Sequence, residues 1–137
     1  MEIKFTIPGV PVGKGRPRIT RNGAYTPKKT KEYEALVRRC WQTQSGQGFS
    51  GGIALVATVN AFFPIPKSTS KKKAAAMEGA LCLKKPDSDN ITKGILDALN
   101  GHAYPDDAAV MLDGVWKFYT NGLPRVEITI REAVHEP

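Results

Sequence analysis

Between Gly51-Gly52 and the prolines Pro64 and Pro66 lies a run in which Ile53, Leu55, Ala57, Val59, Ala61 and Phe63 occupy every second position. That alternation makes one face of an extended strand apolar. The run is rich in β-branched, aromatic and small apolar residues, and the prolines end it because they have no amide to give to a ladder. It is expected to be a central strand. Such a strand cannot stand alone, since it needs neighbours for its backbone groups and a second layer for its apolar face.

The rest of the chain offers both. Residues 2–7 alternate, with Ile3, Phe5 and Ile7 on one face. Residues 110–119 and 125–131 read as two antiparallel strands joined through Asn121-Gly122, by a connection longer than a tight hairpin. Thr26-Pro27 opens a helix over 27–44, in which Tyr33, Leu36, Val37, Cys40 and Trp41 recur at helical spacing; Ser45-Gly46-Gln47-Gly48 stops it. A second helix runs to Leu99 from an N-cap at Ser88 or Asp89, with Ile91, Ile95, Leu96 and Leu99 as its stripe and Asn100-Gly101 as its stop. Ser68-Thr69-Ser70 can cap a short helix over 71–77. Residues 11–23 have neither period and read as an extended basic loop, and the tail from Glu132 reads as frayed. The expectation is an α+β fold, one domain over 1–137, with a mixed sheet of about four or five strands and two or three helices.

A chain of 137 residues can bury a core without disulfide or zinc staples. Cys40 and Cys82 lack metal-site spacing and are expected to be free thiols. No apolar run approaches the roughly 20 residues of a membrane span, and the N-terminus lacks the pattern of an export signal, so a cytoplasmic location is expected.

Charge is the first functional clue. Twenty Lys and Arg against thirteen Asp and Glu give a net +7, which favours a polyanionic partner. Residues 1–40 carry +7, residues 65–95 carry +4, and residues 96–137 carry −4. Carboxylates repel phosphate, so a passive DNA binder has no use for an acidic segment between basic ones. An enzyme that holds a divalent metal between carboxylates and a phosphate has.

The acids concentrate within residues 84–107. Asp87 and Asp89 flank the expected strand-to-helix junction, and Lys93 and Asp97 follow at four-residue steps on one helix face. Asp106-Asp107 sits in a loop just before a strand. Magnesium takes oxygen ligands, and a nearby lysine suits charge developing on a phosphate. Each piece has an ordinary alternative: Asp89 as an N-cap, Asp89–Lys93–Asp97 as a surface ion-pair ladder, Asp106-Asp107 as a polar loop. His102 and His135 have no partner at ligand spacing and read as surface residues.

Lys85-Pro86-Asp87-Ser88-Asp89-Asn90, Lys93, Leu96-Asp97-Ala98-Leu99-Asn100 and Tyr104-Pro105-Asp106-Asp107 together resemble the signature of the RusA family of Holliday junction resolvases. Gly9-Val10-Pro11, Lys14, Arg16-Pro17-Arg18, Tyr25-Thr26-Pro27 and Tyr33 resemble that family as well, so the similarity covers roughly residues 3–130. The resemblance implies a small, homodimeric, magnesium-dependent endonuclease that cuts four-way DNA junctions, with manganese as a substitute metal. By motif, Asp87, Asp89 and Asp107 match the essential metal-binding acids and Lys93 the catalytic lysine. Asp106 and Asp97 match secondary positions. Lys14, Arg16, Arg18, Arg21, Lys28 and Lys29, with Lys31 behind them, are expected to contact phosphates, which positions DNA without reading its sequence. Lys71, Lys72, Lys73, Lys84 and Lys85 could extend that track. Two readings stay beside this one: a nuclease for other branched nucleic acids, and a non-catalytic DNA-binding module.

Overall fold

The computed structural model describes residues 1–133; His135 lies outside them. The elements in chain order are β1 (Glu2–Pro8), β2 (Arg18–Thr20), β3 (Gly23–Tyr25), α1 (Lys28–Gln44), β4 (Leu55–Pro64), α2 (Lys71–Met77), α3 (Ser88–Leu99), a short 3-10 turn (Asp107–Ala109), β5 (Val110–Thr120) and β6 (Arg125–Glu132). The fold is α+β, as expected. Its main sheet has the order β1-β6-β4-β5, and β2 pairs with β3 in a separate two-stranded ribbon.

The alternating run becomes β4 and takes the interior place its pattern predicts. Leu55, Ala57, Val59, Ala61 and Phe63 are buried beneath the helices. They pack with Ile3, Phe5 and Ile7 of β1, Val126, Ile128 and Ile130 of β6, Val37 and Trp41 of α1, and Ile91 and Ile95 of α3. The other face is more open: Phe62 and Phe118 stack at 5.5 Å, and the Arg125 guanidinium lies 4.0 Å from the Phe62 ring centre. Gln44, at the end of α1, pairs with Thr6 through both amide atoms, at 2.8 and 2.7 Å, and so occupies part of the free edge of β1.

Three expectations change. First, β5 and β6 run antiparallel but are not neighbours, because β4 lies between them, parallel to β5 and antiparallel to β6. The connection has to step across β4, roughly 10 Å at ordinary strand spacing, which is why it exceeds a tight hairpin. It is held by Gly122 N–H donating to Thr120 Oγ1, by Asn121 N–H donating to the Glu78 carboxylate, and by Gly9 N–H donating to Pro124 O. Second, the expected irregular loop over 11–23 holds β2 and runs into β3, and the two pair as a ribbon turned at Arg21-Asn22. Third, Glu132 is paired in β6 and Ala133 N–H donates to Ala54 O, so the chain is not frayed there.

The parallel β4–β5 pair needs a crossover, and that crossover carries α3. The residues from Asp87 to Asp107 all lie within it.

Candidate active site

Helix α3 builds one wall. Ile91, Ile95, Ala98 and Leu99 are fully buried and fix its rotation against α1 and the sheet. Asp89 and Lys93 are left exposed and Asp97 half-buried on the other side. The N-cap is Asp87, ahead of both expected positions, Ser88 and Asp89. Its Oδ1 accepts the Asn90 N–H at 3.0 Å. Among the described residues the second carboxylate oxygen of Asp87 makes no hydrogen bond and Asp89 makes no ion pair.

The acidic pair at the end of the crossover is held by backbone contacts. Asp107 N–H donates to Asn100 Oδ1 at 3.0 Å, and Asp106 Oδ1 accepts from Ala108 N–H at 3.0 Å, which caps the 3-10 turn. Asp106 therefore has a visible structural role. The Asp107 carboxyl is pushed above its ordinary value by burial first, then by the charges of Asp97 and Asp106; Lys93 opposes the shift. These four side chains therefore share one electrostatic neighbourhood. Beneath them Tyr104 donates its hydroxyl to Leu96 O at 2.8 Å, and burial together with Asp107 and Asp97 holds its pKa high.

Lys14 is placed unlike the other cations of the basic loop. Its ammonium sits 3.0 Å from Asp97 Oδ2 and 3.2 Å from Glu34 Oε2. Burial pulls its pKa down, but the hydrogen bonds and charges of Asp97 and Glu34 outweigh that, and the net shift is upward. Lys93 approaches the same Asp97 oxygen more loosely, at 3.8 Å. Nothing in the sequence marks Glu34, which the fold leaves as a half-buried carboxylate on α1.

The remaining basic residues divide by position. Arg16 and Lys85 line an open cleft of about 620 Å³ with Asp87 and Asn90. Arg16, Arg18 and Lys29 line an adjoining one of about 580 Å³. Lys28 is exposed at the start of α1, and Arg21 is at the exposed ribbon tip. Lys71, Lys72 and Lys73 lie apart: α2 packs beside the Asn121 turn, where Asn121 meets Ala74 O and Glu78, at the end of β5 away from Asp107.

The donor chemistry of Asp87, Asp89 and Asp107, all oxygen, suits a hard divalent cation. A cation would also relieve the crowding of negative charge around Asp107. Among the described residues, however, no three His, Cys, Asp or Glu side chains are gathered closely enough to hold a metal ion.

Among the described residues no helix is long and apolar enough to cross a membrane. The uncharacterized protein YqaN of Bacillus subtilis (strain 168) is 43% identical, over 95% of this chain and 96% of that protein. The family model described as endodeoxyribonuclease RusA matches residues 8–131, which takes in the basic loop, α3 and the Asp106-Asp107 turn. The chain belongs to the RusA endodeoxyribonuclease family.

Proposed function

We propose that this protein is a magnesium-dependent endonuclease that resolves four-way DNA junctions by paired phosphodiester hydrolysis, in recombination and repair in the cytoplasm. The observation that carries the reading is the start of α3, where Asp87 opens into a cleft bordered by Arg16 and Lys85, inside a chain that matches the family almost throughout. Asp87, Asp89 and Asp107 would hold the Mg2+ ion, with Mn2+ as a substitute. The cation supplies Lewis-acid polarisation of the scissile phosphate and a more acidic water.

The chain's own groups do the rest. Lys93 is 63% exposed and meets Asp97, which Lys14 holds more closely, only at 3.8 Å, so its ammonium can turn to charge developing on the phosphate. Arg16, Arg18, Arg21, Lys28 and Lys29 neutralise flanking phosphates on either side of the ribbon. Asp106 holds the turn that presents Asp107. Paired cuts on a symmetric junction call for two equivalent sites, which a two-fold homodimer provides.

One observation favours a rival. The absence of a gathered three-carboxylate group among the described residues is what a non-catalytic DNA-binding module would also have. Purified protein on synthetic four-way junction, flap and duplex substrates, with and without magnesium, separates these. Symmetric junction cleavage only with the metal is expected. Junction binding with no metal-dependent product favours the binding module, and faster cutting of flaps moves the substrate.

A further inference from the structure

The basic loop is pinned to both helices at Lys14. Lys14 N–H donates to Asn90 O at 3.0 Å, and Gly15 N–H donates to Thr30 Oγ1 at 3.0 Å. The two glycines around it are there for close approach. A Cβ at Gly13 would lie 2.7 Å from Pro86 Cβ, and one at Gly15 would lie 2.6 Å from Thr30 Oγ1. Between these contacts the Lys14 side chain, only 18% exposed, reaches Asp97 on α3 and Glu34 on α1, which are themselves 26% and 15% exposed.

An ammonium between two carboxylates has no free charge for a phosphate. Swinging it outward would leave Glu34 without its cation and Asp97 with only the looser contact to Lys93 at 3.8 Å. Arg16 and Arg18, two and four residues on, are exposed and make no ion pair among the described residues.

We propose that Lys14 is a positioning residue rather than a phosphate ligand: with Asp97 and Glu34 it clasps the basic loop onto α1 and α3. The clasp sets Arg16 beside Asp87 and keeps Asp97 in place behind Lys93. It rests on the nuclease reading above, because the groups it aligns are those assigned to phosphate and metal.

The test compares Lys14→Met, Glu34→Gln and Arg16→Ala with the wild-type protein. Single-turnover cleavage of a four-way junction is followed at saturating enzyme in magnesium. Junction affinity is followed without metal, between about 50 and 200 mM salt. Lys14→Met is expected to cut on the order of 10- to 100-fold more slowly, the scale of a small misplacement of reacting groups. Its affinity and salt dependence should stay those of wild type. Arg16→Ala should instead flatten the salt dependence by about one unit of slope. Glu34→Gln should also slow cleavage, whereas freeing Lys14 for phosphate would tighten binding and spare the rate.

A wild-type rate for Lys14→Met with a slope reduced by about one overturns the proposal, and so does a wild-type rate for Glu34→Gln. If Lys14→Met fails to fold, the Glu34→Gln rate decides. A wild-type protein that binds junctions but never cuts them sinks the nuclease reading instead. The clasp is then judged by thermal unfolding of the two single variants and the double variant: non-additive shifts support it, and additive shifts overturn it.

Discussion

Asp87 is the N-cap of α3 and a proposed metal ligand, and one set of substitutions can separate the two. Its Oδ1 caps α3 through the Asn90 N–H, and its carboxylate is assigned to the metal. Asn and Ser cap helices about as well as Asp, while Ala removes the acceptor at a cost of about 1 kcal/mol, within a range of roughly 0.5 to 2. For a chain of this length 1 kcal/mol moves Tm by about 3–5 °C. Asp87→Asn and Asp87→Ser should therefore melt within about 2 °C of wild type, losing only the few tenths of a kcal/mol that an anion gains at a helix N-terminus. Asp87→Ala should melt about 3–5 °C lower.

Cleavage should follow a different order. If the carboxylate holds the cation, all three variants should lose at least about 100-fold in single-turnover rate, however well they cap. Calorimetry and junction cleavage on the same preparations decide it. Asp87→Asn or Asp87→Ser cutting within a few-fold of wild type, beside a destabilised Asp87→Ala, would show a cap and nothing more.

Asp89, exposed and without an ion-pair partner among the described residues, gives a cleaner variant. Asp89→Asn should abolish cleavage yet bind junctions in metal-free buffer at least as tightly as wild type, since it removes a charge that repels phosphate; a filter-binding titration showing weaker affinity would count against the assignment. The raised pKa of Asp107 has a definite sign. Its folded form holds the proton more tightly than the unfolded chain, so the metal-free protein should lose stability as pH rises from the ordinary carboxylate value through the raised one. Asp107→Asn should remove that slope in urea titrations at several pH values, and an unchanged slope would refute the crowding of charge around Asp107.

The readable parts of the fold were those with long periods. The five alternating buried residues of β4 and the helical spacing of Tyr33, Val37, Cys40 and Trp41 each repeat often enough to fix a type and a buried face. β2 and β3 have three residues each and are exposed, so no alternation could reveal them. The neighbour relation of β5 and β6 was not legible because strand order is set by packing, and β4, apolar on both faces at Val56 and Phe62, fits between them. In the site, the spacing of Asp89, Lys93 and Asp97 survives as one helix face. Nothing in the sequence sets Lys14 apart from a row of similar cations, because the carboxylates that surround it come from distant segments. The cap at Asp87 instead of Ser88 or Asp89 is a one-residue difference, but it makes a proposed ligand also a structural residue.

The placement of Asp87 midway along the β4–β5 crossover and of Asp107 at its end links the proposed site to the order of folding. Asp107, which directly precedes β5, cannot come to its place beside α3 until β5 has docked beside β4, a pairing between segments far apart in the chain and therefore slow to form. The site should thus be among the last regions to assemble. It should also be among the first to open, because β5 is an edge strand and, among the described residues, backbone hydrogen bonds cover its outer side only near Lys117–Tyr119, from residues 79–82. Nascent or partly unfolded chains would then keep their basic loop but have no cutting centre, which protects the DNA they meet from incomplete enzyme.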